Sequence, residues 1–185
     1  MRKNFGAQSW LYPMPVLLVG TYDEAGKADL MNAAWGGIYE TNQVVLSLSH
    51  SHKTTKNIQA TGAFTVSIAD AKHVTEADYV GIVSANTTPD KLEKAGLHAE
   101  ASTFVKAPLF REFPMTLECK LVKFNEDGNV IGEIVNVSAD DSILDAEGKI
   151  DPDKLEPIAF DSVHHTYRKL GEVVGAAFSD GKKLQ

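Results

Sequence analysis

The segment LMNAAWGGIYETNQVVLSLSHSHKTTKNI, residues 30–58, holds three different patterns one after the other. Residues 32–37 are mostly small, so a ligand can approach the backbone closely there. An apolar run typical of a β-strand follows at 44–49. This run leads into hydroxyl groups and one cation, directly before a predicted helix at 56–61 whose first N–H groups and positive dipole end favour an anion. The segment thus predicts a site for a flat ligand and an anion site about one strand apart.

The predicted anion site has two interpretations. In the first, Lys53, the neighbouring hydroxyls and the start of the helix bind a monophosphate. In the second, Ser51 caps the helix and its neighbours are simply solvated. The role of Trp35 also has two interpretations, because its indole could stack on a ring system or fill one end of a barrel. The polar residues of the cluster are Ser49, Ser51, Lys53, Thr54 and Thr55.

Composition and charge restrict the class of protein. The chain has 185 residues and one cysteine, so we expect a single domain over residues 1–185 without a disulfide. Its net charge is −7 and its basic residues are scattered, which argues against nucleic-acid binding. No run approaches the roughly 20 apolar residues of a membrane helix, and the N-terminal residues lack the apolar part of a secretory leader. We therefore expect a cytoplasmic protein that binds neither nucleic acid nor a membrane.

Alternating apolar residues and turn signals predict a mainly β, antiparallel fold. About six strands are joined by hairpin-type turns, and two short helices are inserted between the fourth and the fifth. The regular crossover helices that a parallel sheet needs are absent. This pattern favours an antiparallel barrel with α additions over a doubly wound α/β fold. The predicted strands are 15–21, 28–39 with a bend at Gly36 and Gly37, 44–49, 63–68, 113–124 and 130–138.

Several common binding and catalytic motifs are missing. No glycine-rich dinucleotide or nucleoside-triphosphate motif occurs, so neither ligand has its usual phosphate loop. His50 and His52 would share one face of a strand. No third ligand follows at a sequence spacing typical of metal sites, so we expect no bound metal. Cys119 falls on the apolar face of its strand and is expected to be inert core. No Ser-His-Asp or Cys-His arrangement supports a hydrolase.

Several short segments, taken in order, resemble the flavin reductase-like family, and most closely its flavoredoxin branch. The resemblance covers the chain from about residue 13 to residue 178. It implies a Greek-key-like split β-barrel that forms a homodimer and binds FMN noncovalently near the subunit interface. The matching segments are PMPVLLVGT at 13–21, NAAW at 32–35, SLS at 47–49, KTTKNI at 53–58, DYVG at 78–81, SA at 84–85, DKL at 90–92 and IGEIV at 131–135.

The resemblance also assigns the two predicted sites to parts of FMN. Lys91 matches a recurrent lysine of the family that could reach the flavin or its phosphate, and its alternative role is a solvated helix face. The implied contacts are Asn32, Ala33, Ala34 and Trp35 for the isoalloxazine ring, Ser47, Leu48 and Ser49 for the ribityl chain, and Lys53, Thr54 and Thr55 for the phosphate.

The function implied by the resemblance is electron transfer through bound FMN. The donor would be NAD(P)H or a reduced redox protein. Many reductases of the family carry a Gly-Asp-His segment before the late strand, whereas the turn at 125–129 reads NEDGN and has no histidine. A flavin-binding electron carrier without turnover, or a split-barrel module for another phosphorylated ligand, is therefore the alternative.

Overall fold

The structure is a computed structural model that describes residues 1–185. Its helices are α1 (Lys53–Thr61), α2 (Val74–Ile82), α3 (Lys91–Lys94) and α4 (Pro152–Leu155), with 3-10 turns at Asp141–Ile143 and Asp180–Leu184. Its strands are β1 (Met14–Pro15), β2 (Leu17–Tyr22), β3 (Ala28–Ala33), β4 (Gly36–Glu40), β5 (Gln43–Leu46), β6 (Ala63–Ile68), β7 (Ala99–Ala101), β8 (Pro108–Phe110), β9 (Met115–Phe124), β10 (Val130–Ala139), β11 (Ile158–Asp161) and β12 (Thr166–Lys169).

The main sheet is antiparallel and has seven strands in the order β3-β2-β6-β9-β10-β5-β4. Its two edge strands, β3 and β4, are consecutive in the chain and are separated only by Ala34 and Trp35. The chain from Ala33 to Gly36 makes three Cα–Cα steps and spans at most about 11 Å. The edges of a flat seven-stranded sheet would be roughly 29 Å apart. The sheet must therefore curl until its edges approach each other, and the predicted mainly β, antiparallel split barrel is confirmed.

The prediction of one bent strand over 28–39 is wrong. The chain leaves β3 at one edge of the sheet, crosses the opening through Ala34 and Trp35, and enters β4 at the other edge. Two nearby boundaries also differ from the prediction. Strand β5 ends at Leu46, and α1 begins at Lys53, three residues before the predicted start. Helix α1 ends as predicted, because Gly62 adopts a φ of +69° and its N–H donates to the Ile58 carbonyl.

Two apolar clusters lie on opposite faces of β2. Leu17 and Val19 point into the barrel, where they pack with Phe64, whereas Leu18 faces a second cluster beneath α2 that contains Val80. This alternation follows from the two-residue period of a strand. Both faces of β2 are therefore covered, one by the barrel interior and the other by the helical insertion.

The C-terminal part adds a small sheet and an exposed tail. Strand β11 pairs with both β1 and β12, which brings the first strand of the chain next to one of its last. Residues 170–185 are exposed along their whole length. No helix is long and apolar enough to cross a membrane, and the cytoplasmic location stays a prediction.

Gly36 offers a direct test of the crossing between the two edges. A Cβ at Gly36 would lie 2.8 Å from Leu46 Cδ2 and 2.9 Å from both Leu17 Cδ1 and the Val45 carbonyl oxygen. We expect Gly36→Ala to lower the free energy of unfolding by about 1–3 kcal/mol, because the core and a backbone group must move. Urea denaturation followed by circular dichroism measures this change.

The matched control is Gly37→Ala, because nothing lies within 4 Å of a Cβ at Gly37. The control should unfold at nearly the urea concentration of the unmodified chain. Equal urea midpoints for the two variants would show that the close packing around Gly36 does not affect the stability of the barrel.

Candidate functional site

A cavity of about 540 Å³ opens beside the junction between β3 and β4. Residues 34–37 line it together with Val45 of β5 and Ser47 just after that strand. Residues 8–11, with Met14 and Pro15 of β1, and Asn129 in the turn between β9 and β10 form the rest of its lining. The small residues at 34–37 leave the backbone accessible, so the structure places an open, partly apolar cavity where the sequence predicts room for a flat ligand.

The four residues of the predicted ring site do not all face this cavity. Ala34 and Trp35 line it, and the Trp35 carbonyl accepts a hydrogen bond from the Ser47 N–H at 2.8 Å. Trp35 is 53% exposed, so the interpretation of its indole as a barrel plug is wrong. Ala33 is buried in the barrel core, and the Asn32 amide donates to the Ala77 carbonyl of α2 at 3.0 Å.

Residues 47–49 connect the cavity to the start of α1. Ser47 lines the cavity, Leu48 is buried in the barrel, and the Ser49 carbonyl accepts a hydrogen bond from the Thr55 hydroxyl at 2.8 Å. The segment therefore runs from the proposed ring site to the predicted anion site, as the sequence indicates. The chain between them limits their separation to about 20 Å, because Lys53 follows Ser47 by six residues.

The start of α1 keeps free hydrogen-bond donors. The first bond of the helix runs from the Lys56 N–H to the His52 carbonyl, so the N–H groups of Lys53, Thr54 and Thr55 have no partner within it. The prediction that Ser51 caps α1 is wrong, because residue 52 is the N-cap and no side chain caps it. The Ser51 hydroxyl instead shares a hydrogen bond of 2.8 Å with the Ser49 hydroxyl.

Lys53 is the accessible cation at this helix start. Its ammonium lies 3.3 Å from Asp23 Oδ2, and its side chain is 32% exposed. The backbone N–H of Lys27, which donates to the carboxylate at 2.9 Å, and then the Lys53 ammonium hold the pKa of Asp23 below its usual value. Asp23 thus stays ionised near neutral pH and keeps Lys53 beside the free N–H groups.

Lys91 and Thr54 are joined by a buried aspartate that the sequence analysis missed. The Lys91 ammonium lies 2.9 Å from Asp29 Oδ1 and donates to the Val83 carbonyl at 3.2 Å, while the Thr54 hydroxyl donates to Asp29 Oδ2 at 3.1 Å. Each of the three residues is at most 3% exposed. The interpretation of Lys91 as a solvated helix residue is therefore wrong. Asp29 was detectable in principle, because it interrupts the apolar strand ADLMNA.

The hydroxyl protons of Thr54 and Thr55 are committed to acceptors inside the chain. Thr54 donates to Asp29, and Thr55 donates to the Ser49 carbonyl. An anion at this helix start would therefore meet their backbone N–H groups, together with the Lys53 ammonium. The sequence analysis did not assign several residues of the cavity to the site, and no local pattern connects them to residues 34–37: they are 8–11, Met14, Pro15, Val45 and Asn129.

His50 packs against a neighbouring turn, and Cys119 is buried. No group of three or more His, Cys, Asp or Glu side chains lies close enough together to bind a metal ion. The His50 imidazole packs over Gly128, where an added Cβ would collide with its Nε2 atom. Burial, and then the neighbouring Glu118, raise the pKa of the Cys119 thiol to about 12, so it stays protonated.

Known proteins resemble this chain in sequence and in fold. A family model described as flavin reductase like domain matches residues 9–159. Flavoredoxin of Desulfovibrio vulgaris (Miyazaki F) superposes with a TM-score of 0.94 at 39% identity, covering 98% of this chain and 100% of that one. Flavoredoxin from Methanosarcina acetivorans superposes at 0.89 with 27% identity, covering 100% of both chains. An uncharacterized protein of Aquifex aeolicus is 30% identical over 79% of each chain.

The residues at this site fit the cofactor that the family implies. FMN combines a flat ring with a terminal phosphate dianion, and the structure offers a cavity with an exposed indole next to a helix start with free N–H groups and a lysine. The family match and the likeness to flavoredoxin thus support the prediction of FMN as the cofactor.

The buried ion pair at Asp29 predicts a large effect of Lys91. We expect Lys91→Met to lower the free energy of unfolding by about 3–5 kcal/mol, because it leaves the Asp29 carboxylate buried without its cation. Adding Asp29→Asn to this variant should restore a large part of the loss. Urea denaturation of the single and double variants measures both effects.

Lys94→Met on the same helix is the matched control. The Lys94 side chain is 54% exposed in its pair with Asp90, so its loss should leave the unfolding midpoint nearly unchanged. A Lys91→Met variant as stable as this control would mean that Asp29 does not depend on Lys91.

Proposed function

The chain belongs to the flavin reductase like family, and on this premise we propose that it is an FMN-dependent oxidoreductase related to flavoredoxin. It would pass electrons from NAD(P)H or a reduced partner protein through bound FMN to an acceptor. One observation carries the proposal: the cavity at residues 34–37, the segment 47–49 and the start of α1 follow each other in the order of ring, ribityl chain and phosphate. We also propose that residues 1–185 act as one FMN-binding domain.

The start of α1 would hold the phosphate. The N–H groups of Lys53, Thr54 and Thr55 and the Lys53 ammonium offer charge-assisted hydrogen bonds to a dianion. Lys91 would not contact the phosphate. It would hold Asp29 in place, and Asp29 would in turn hold the Thr54 hydroxyl. The role of Lys91 in this proposal is to position the helix start.

Ala34 and Trp35 would contact the ring. Trp35 presents an exposed indole to the cavity, and the small Ala34 lets the backbone approach a ligand closely. Asn32 and Ala33 would support this segment from behind, since both are held by α2 or by the barrel core. Ser47, Leu48 and Ser49 would follow the ribityl chain. When bound, FMN supplies the hydride and electron chemistry, and the protein orients it and shields it from water.

The presence of Asn129 in the cavity supports a second candidate function. In it, the protein carries electrons and is reduced by a partner protein. Asn129 lies in the turn that in many relatives carries a histidine. An asparagine amide can donate and accept hydrogen bonds but takes up no proton near neutral pH. A nicotinamide donor would therefore meet a polar side chain that does not titrate, so the direct use of NAD(P)H needs a test of its own.

We propose that the functional unit is a homodimer. Strand β4 is an edge strand that exposes Ile38 at 69% and Tyr39 at 52%, and the C-terminal tail exposes Val173, Val174 and Phe178 almost fully. Edge strands and contiguous apolar surface are usually covered in a folded assembly. A second copy of this chain would cover them and would complete the surroundings of the neighbouring cavity.

The absorption spectrum of the protein tests the proposed function. The chain is reconstituted with FMN, desalted and recorded without oxygen before and after addition of NADH or NADPH. Retained flavin bands that bleach would support a reductase, and retained bands that persist would support the electron carrier. Sedimentation of the same sample should give about twice the monomer mass of 20.1 kDa.

Loss of all flavin bands on desalting would contradict both functions. The chain would then be a split barrel for another phosphorylated ligand. A mass of 20.1 kDa for a sample that retains FMN would contradict the homodimer alone.

Lys53→Ala tests the phosphate site. We expect it to weaken FMN binding about tenfold, the effect of losing one hydrogen bond from a charged group. Binding of riboflavin, which lacks the phosphate, should change much less. Lys56→Ala is the matched control, since Lys56 is exposed one helical position beyond the free N–H groups. Fluorescence titration measures the affinities of the unmodified protein and both variants for the two ligands. Equal losses of FMN and riboflavin binding in Lys53→Ala would contradict the assignment.

A further inference from the structure

Residues 1–13 form an N-terminal arm that contributes to the cavity without belonging to the barrel. The arm has no helix or strand, and every one of its residues is exposed. Even so, Gln8, Ser9, Trp10 and Leu11 line the cavity that also contains Trp35. An exposed segment gains little from packing, so something else must hold these four residues over the cavity.

The arm is attached by a hydrogen bond from Tyr12 to Asp161. The Tyr12 hydroxyl donates to Asp161 Oδ1, and Asp161 is only 3% exposed although Tyr12 is on the surface. Strand β1 begins two residues later and pairs with β11, with Met14 opposite Phe160. The hydrogen bond therefore fixes the arm at the point where it leaves the sheet.

Asp161 is a rigid acceptor for this bond. It also accepts hydrogen bonds from the Val163 N–H at 3.0 Å, from His164 Nδ1 at 2.9 Å and from Arg168 Nε at 3.1 Å. The Tyr12 hydroxyl is the largest of the causes that hold the pKa of Asp161 well below its usual value, and the same bond raises the pKa of Tyr12. The bonds from Val163, His164 and Arg168 keep the carboxylate fixed within the β11–β12 hairpin even when the arm moves.

The aromatic part of the arm lies next to this anchor. Trp10 packs edge-to-face on Phe5 with ring centroids 5.4 Å apart, and it remains 42% exposed. Leu11 is 68% exposed. Two large apolar side chains at the edge of a cavity are costly to leave in water, and a flat apolar ligand that fills the cavity would cover them.

We propose that residues 8–11 close over the isoalloxazine ring of bound FMN, and that Tyr12, through Asp161, is the residue that positions them. This inference rests on the proposed function and adds to it a second wall of the ring site, supplied by the arm opposite residues 34–37. Tyr12 itself touches neither the cavity nor the reacting atoms. Loss of its hydroxyl lets the arm move away, so FMN dissociates faster while the barrel stays folded.

Tyr12→Phe in the FMN-loaded protein tests the inference, because it removes the hydroxyl and keeps the ring. Arg168→Met is the matched control, since it removes a different hydrogen bond of Asp161 and leaves Tyr12 in place. Three quantities are measured: the rate of FMN dissociation by flavin fluorescence, chymotrypsin cleavage after Trp10 with and without FMN by mass spectrometry, and the urea midpoint.

We expect Tyr12→Phe to raise the FMN dissociation rate about tenfold, the effect of one lost hydrogen bond to a carboxylate. FMN should protect Trp10 from cleavage in the unmodified protein and in Arg168→Met, and much less in Tyr12→Phe. The urea midpoints of the three FMN-free proteins should be similar. Trp10→Ala should raise the dissociation rate in the same way while its Tyr12 hydroxyl is intact.

Unchanged dissociation and cleavage in Tyr12→Phe would overturn the inference and leave the proposed function standing. Protection of Trp10 that depends on protein concentration and not on FMN would also overturn it, because the arm would then cover a second copy of the chain. Failure of the unmodified protein to retain FMN would overturn the proposed function and this inference together.

Discussion

The short crossing at Ala34 and Trp35 is the constraint on which the rest of the structure depends. It joins the two edges of a seven-stranded sheet, and a link of this length can do so only when the sheet curls. Gly36 makes the crossing possible, because Leu17, Leu46 and the backbone of β5 occupy the space of a side chain. The same crossing leaves an accessible backbone at the opening of the barrel, so the feature that closes the fold also creates the cavity.

A second constraint is electrostatic and sets the position of α1. Asp29 on β3 is buried, and a buried carboxylate is tolerated only when it is paired and hydrogen-bonded. Lys91 supplies the charge and Thr54 a hydrogen bond, so strand, inserted helix and α1 are held together at one point. The free N–H groups at the start of α1 are thereby fixed in direction before any anion binds, which spares the ligand the cost of ordering them.

The proposed cofactor site that follows from these constraints combines rigid and mobile parts. The barrel opening and the start of α1 are rigid, because they rest on the core and on a buried ion pair. The N-terminal arm is exposed and is held by Tyr12 and by the pairing of β1 with β11. Segments with little buried surface are the ones that open most easily. A site built in this way would bind one end of the proposed ligand firmly and would cover the other end with an element that can move.

The sequence by itself determined local features: strands β2, β5, β6, β9 and β10 to within a few residues, the end of α1 at Gly62, the turn at 125–129, and the order of small segment, apolar strand and hydroxyl cluster. These depend on neighbours within a few residues, so periodicity and turn chemistry suffice to predict them. Only the tertiary structure decided that 28–39 divides between two sheet edges, that Lys91 and Thr54 share Asp29, and that residues 8–11 reach the cavity. Each of these depends on contacts between segments far apart in the chain, and no local pattern encodes which distant partner a buried charge or an exposed arm will find.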